Sequence, residues 1–115
     1  MNNLSQRAVS CKHWRWMPGM SIDGMVVVDA DESGLEVVRK GVVQEWDFEY
    51  SYPDLTDPAT VGCLLGLVRE VWMCPQVSVR YEMGRVWRCR HQDGALLGEG
   101  ATEAEALVAA LEALP

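Results

Sequence analysis

No run in this sequence approaches the roughly 20 consecutive apolar residues that a membrane-spanning helix requires. The opening stretch, MNNLSQRAVS, is polar and lacks the apolar segment of a secretory signal. Basic residues are scarce: ten Lys and Arg stand against 17 Asp and Glu, a net charge of −7. That balance argues against general nucleic-acid binding, which needs clustered cations along a phosphate backbone. No internal repeat, low-complexity tract or linker interrupts the chain. No glycine-rich phosphate cradle is present, and Gly98 and Gly100 match no such fingerprint. No nucleophile elbow, orienting acid or oxyanion site is marked, so no catalytic residue is assigned and the chain does not read as an enzyme. The carboxylates are scattered over turns and helix faces, where solvated surface is their ordinary role. These absences leave a cytoplasmic protein as the expectation, with no membrane partner.

What is there is a chain of 115 residues, 49% hydrophobic and 23% charged, a size suited to one domain with one core. The clearest stretch is Pro53 to Trp72. Asp57 is placed to cap a helix and Pro58 to open it, where a missing N–H costs nothing. Val61, Leu64, Leu65, Val68, Val71 and Trp72 then recur at three- and four-residue spacing and form one apolar face. Gly62 and Gly66 each cost about 1 kcal/mol of helix propensity, which predicts a close backbone approach there. Arg69 and Glu70 are left for solvent, and Pro75 stops the helix at Cys74.

Before this helix, residues 1 to 9 read as a short helix or loose arm anchored by Leu4, Ala8 and Val9. The run Cys11 to Met20 reads as a strand edge with Trp14 and Trp16 on one side and Arg15 on the other. Met25–Val28, Leu35–Arg39 and Val42–Phe48 are apolar runs separated by turns at Asp31–Gly34 and Lys40–Gly41, an antiparallel meander. After the helix, Val77–Glu82, Val86–Arg90 and Ala95–Glu99 form a second set of strands joined by turns at Glu82–Arg85 and Gln92–Gly94. Thr102 and Glu105 have capping-box spacing before a stripe of Ala104, Leu107, Val108, Leu111 and Leu114. The fold class is therefore α+β: two amphipathic helices packed on an antiparallel sheet, with an N-terminal β-meander. Residues 1–52 form the arm and meander of a single domain, and residues 53–115 its helix, three strands and helix.

Three blocks, WRWMPGM at Trp14–Met20, DLTDPATVGCLLGLVREVW at Asp54–Trp72 and GATEAEALVAALEALP at Gly100–Pro115, together resemble a group of small phage- and prophage-encoded proteins of unassigned function. More distantly, the order helix, three strands, helix is similar to phage domains described as layered alpha-beta-alpha sandwiches. The resemblance implies a phage or mobile-element accessory gene and brings no catalytic residues with it.

Two local patterns carry chemistry. Arg80, Arg88 and Arg90 alternate onto one sheet face, where guanidinium groups suit a nucleotide phosphate or an acidic surface. Trp14, Arg15 and Trp16 would add stacking if the N-terminal segment folds over that face. The alternative is a solvated face cross-paired with Glu82 and Glu99. Cys11-x-His13 and Cys89-x-His91 supply a complete tetrahedral zinc set, although structural sites space their ligands more widely; ordinary burial of the cysteines is the alternative. Three functions follow in order: a non-enzymatic phage accessory protein that binds a host or phage protein, one form being inhibition of a host defence system such as CRISPR; a small-ligand or nucleotide binder using the arginine face; and a zinc-stapled module.

Overall fold

The computed structural model describes residues 3–31, 34–48 and 51–115; Met1, Asn2, Glu32, Ser33, Glu49 and Tyr50 lie outside it. Among the described residues α1 (Leu4–Ser10) is followed by β1 (Ser21–Ile22), β2 (Met25–Asp31), β3 (Gly34–Arg39) and β4 (Val42–Trp46), which form an antiparallel four-stranded sheet in chain order. After α2 (Pro58–Val71), β5 (Ser78–Glu82), β6 (Val86–Arg90) and β7 (Leu96–Gly100) form a second antiparallel sheet, and α3 (Glu103–Ala113) closes the chain. The class is the expected α+β with an N-terminal meander, and the strands divide into two sheets. No helix among the described residues is long and apolar enough to cross a membrane.

Local chemistry explains the hairpins. Asp23-Gly24, Lys40-Gly41 and Met83-Gly84 each hold two successive residues at positive φ, 47° and 81°, 51° and 80°, 57° and 67°. That is the mirror-image turn whose twist matches paired strands, and glycine at its second position adopts it without a Cβ penalty. Of the turn expected at Asp31–Gly34, Glu32 and Ser33 lie outside the described residues.

The larger core joins both long helices to the β5–β7 sheet. Leu64, Leu67 and Val68 of α2, Ala106, Leu107, Val108, Ala110 and Leu111 of α3, and Val77 and Cys89 beside and within the sheet are all buried together. α3 sits on β7 almost backbone to backbone: a Cβ at Gly98 would lie 2.5 Å from both Ala106 O and Ala110 N. Small side chains on both elements permit that approach, which is the physical use of the alanines in α3. The Trp72 indole N–H then ties α2 to α3 by donating to Ala110 O at 2.9 Å. Three expectations for α2 change. A Cβ at Gly62 or Gly66 would meet nothing within 4 Å, so the close approach falls at Gly98 and Gly100 instead. Leu67, absent from the expected stripe, is fully buried. Arg69 does not simply point to solvent, because its Nε–H donates to Val77 O at 2.9 Å and closes the loop after the helix.

A second core lies under the meander, built from Trp16, Met20, Ile22, Met25, Val27, Leu35 and Val37. Trp14 and Met17 pack against both cores. The WRWMPGM stretch is thus a turn-rich connection wedged between two halves, not the strand edge its alternation predicted. Polar bonds reinforce the join. The Ser21 N–H donates to Thr60 Oγ1 at 2.8 Å, and the Asp54 N–H donates to Ser21 O at 2.8 Å. Thr60 itself donates from its N–H and its hydroxyl to the capping carboxylate of Asp57, both at 3.0 Å. Pro58 opens α2 behind that cap, and the Thr102–Glu105 box caps α3, both as expected.

Candidate functional site

The arginine face exists on the outer side of the β5–β7 sheet, away from α3, but its charges are largely spent. Arg80 faces Arg88 directly across β5 and β6, and Arg88 faces Glu99 across β6 and β7. Arg90 grips Glu82 with Nε and Nη2, each at 3.0 Å, and gives Nη1 to Gly94 O at 2.9 Å. Arg88 reaches Glu99 at 3.2 Å and Glu82 at 3.5 Å. Hydrogen bonding from Arg90 holds the Glu82 carboxyl below the usual carboxylate range. The cross-paired alternative is therefore the arrangement present. Arg80 makes no ion pair among the described residues and lines a cleft of about 380 Å³ with Gln76, Ser78 and His91.

Trp14, Arg15 and Trp16 line a different groove of about 840 Å³, with Val9, Phe48 and Tyr52. It shares no residue with the Arg80 cleft, so stacking by these tryptophans is not delivered to the arginine face. The two indoles meet edge to face, with centroids 5.3 Å apart and planes at 86°. Arg15 pairs with Glu70 of α2 through both terminal guanidinium nitrogens, Nη1 and Nη2, which lowers the Glu70 carboxyl below its ordinary value. The buried Trp14 Nε1–H has no hydrogen-bond acceptor among the described residues.

The four proposed zinc ligands do not converge. Cys11 Sγ lies against Leu111 O at 3.6 Å and His13 Nε2 against Leu114 O at 3.1 Å, at the end of α3. Cys89 is buried in the larger core, where desolvation pushes its thiol up to about 11, and His91 Nδ1 lies 3.4 Å from Asp93. Among the described residues no three His, Cys, Asp or Glu side chains come together in a way that would hold a metal ion.

The feature that sequence reasoning passed over is the outer face of the meander. Val26, Val38 and Val43 stand directly opposite one another across β2, β3 and β4. Val43 is 60% exposed and Val26 44%. Two residues along β3 and β4, and so on the same face roughly 7 Å away, Asp29, Glu36 and Glu45 stand opposite one another in the same manner. None of these three carboxylates makes an ion pair among the described residues. They border a shallow cleft of about 300 Å³ whose other acids are Asp31 and Asp47 and whose lining holds no base. β4 is, with β1, an edge strand of this sheet, exposed on both faces from Val42 to Glu45, and of its side chains Trp46 packs on the core beneath. The signal was available: E-x-V in β3 (Glu36, Val38) and V-x-E in β4 (Val43, Glu45), at matched distances from Lys40-Gly41, predict these two cross-strand rows once the turn is fixed at two residues.

The chain matches no family model, no curated protein and no solved structure.

Proposed function

We propose that this chain is a non-enzymatic phage accessory protein that works in the host cytoplasm by binding another protein, inhibition of a host defence system such as CRISPR being one specific form. The observation that carries the reading is the outer face of the β1–β4 sheet, where a row of solvent-facing valines lies beside an outermost strand with no partner among the described residues. Exposed apolar rows and open sheet edges are liabilities that proteins ordinarily cover. The three sequence blocks supply the phage context. Immobilised protein is expected to retain one host or phage protein saturably from lysate of a phage-sensitive host, and retention of none overturns the reading.

The competing reading is a nucleotide or small anion in the Arg80 cleft, and it rests on one unpaired guanidinium. Thermal denaturation across a panel of nucleotides separates the two. A ligand at a hundred times its dissociation constant adds about 2.7 kcal/mol of stability, and a shift of that order would favour the cleft.

A further inference from the structure

The edge of β4, which has no strand beside it among the described residues, and the two rows next to it define one kind of occupant. A strand added to β4 would satisfy its outward N–H and C=O groups and extend the sheet to five strands, the mode in which backbone bonds give affinity and alternate side chains give specificity. Side chains on the outer face of that added strand would continue the rows now ending at Val43 and Glu45. The first row asks for an apolar residue. The second already sets Asp29, Glu36 and Glu45 opposite one another, like charges in direct cross-strand register, which is unfavourable as it stands. Only a cation placed next in that row improves it. No metal ion is suited to the position, because no three of these acids converge among the described residues. A second copy of this chain is disfavoured by the same charge, since both surfaces carry the acids and each chain has a net charge of −7.

We propose that β4 receives an extended basic segment of its protein partner, pairing as a fifth strand, with Lys or Arg set against Glu45 at the end of the row that holds Glu36, and an apolar residue against Val43. This assignment rests on the protein-binding reading and names its surface and the partner's chemistry.

The experiment uses the full chain and a short synthetic peptide repeating Val-Thr-Lys-Thr, long enough to cover β4, so that Val and Lys share one face two residues apart as Val43 and Glu45 do. Binding is followed by calorimetry and by amide hydrogen exchange. The peptide is expected to bind, to weaken as salt is raised, and to slow exchange at β4 amides specifically. Glu36→Lys and Glu45→Lys should each weaken it about tenfold or more while the fold is retained. The same repeat with Glu in place of Lys should fail, and so should the Lys peptide of the same charge interrupted by proline. Equal binding by the proline-interrupted peptide would overturn strand addition, as would protection away from β4 or dimerisation of the free chain through that edge. A protein retained from lysate equally by the wild type and by Glu36→Lys would overturn this assignment while leaving the binding reading intact. Failure to retain any protein would remove the binding reading itself.

Discussion

The amide of Ser21, in the first strand of the meander, is satisfied by the hydroxyl of Thr60, in the first turn of α2. Thr60 is completely buried and passes its own two donors to Asp57, so one side chain serves the helix cap and the sheet together. Thr60→Val keeps the shape and removes the acceptor. The expected loss is about 1–3 kcal/mol, the cost of a buried donor left unmade, whereas Thr60→Ser should cost less. Chemical denaturation followed by tryptophan fluorescence measures both.

Acid should attack the same joint. Hydrogen bonds from Thr60 lower the Asp57 carboxyl below its ordinary value, Arg15 does so for Glu70, and Arg90 for Glu82. A folded-state value below the unfolded one contributes stability that is present above the unfolded pKa, near about 4, and disappears as pH falls through the folded pKa. Stability is therefore expected to be flat near neutrality and to fall below about pH 4. Asp57→Asn and Glu82→Gln should each flatten that acid limb, which denaturant titrations at stepped pH would detect.

Glycine substitutions should split by location. At Gly98 a Cβ has no room against the backbone of α3, and Gly98→Ala is expected to destabilise by about 1–3 kcal/mol or more. At Gly62 and Gly66 the space is open and the residues are helical, so Ala should stabilise by about 0.5–1 kcal/mol at each. Melting temperatures of the three variants should move in opposite directions, and a loss at Gly66 equal to that at Gly98 would contradict the helix packing described.

Charge reversal in the acidic row should raise stability. Glu36 stands between Asp29 and Glu45, so Glu36→Lys converts two like-charge pairs into two opposite ones. The gain expected is about 0.2–1 kcal/mol per pair, shrinking in high salt. A variant that is more stable yet binds its partner less well would mark the wild-type row as kept for something other than folding.

The cysteines give a simple readout of burial. Cys74 and Cys89 are 4% and 0% exposed, while Cys11 and Cys63 are half-buried. At pH 8 a thiol reagent should modify Cys11 and Cys63 in the native chain and leave Cys74 and Cys89 until denaturant is added. A chelator should leave the melting temperature unchanged, since the two Cys-x-His pairs lie apart.

Elements governed by local rules were readable in advance. Asp57-Pro58 and Thr102-x-x-Glu105 name their own helix starts, and Lys40-Gly41 and Met83-Gly84 name their turns, because capping and backbone handedness act within a few residues. The arginine face was also placed correctly by alternation. What alternation does not encode is who sits opposite whom at a distance. The division of the strands into two sheets and the seating of β7 under α3 through Gly98 depend on long-range packing. The tryptophan run misled for the same reason: Trp14 and Trp16 alternate like a strand, yet Trp14 packs against both cores and Trp16 is buried in the one under the meander.

Trp14 and Met17, shared by both cores, give the molecule a seam. Where two halves adhere through side chains of a connecting segment, each can loosen on its own schedule, and protection from hydrogen exchange should come in two tiers. The four-stranded half, with its smaller interior, is expected to let go first, while the helical half stays shut.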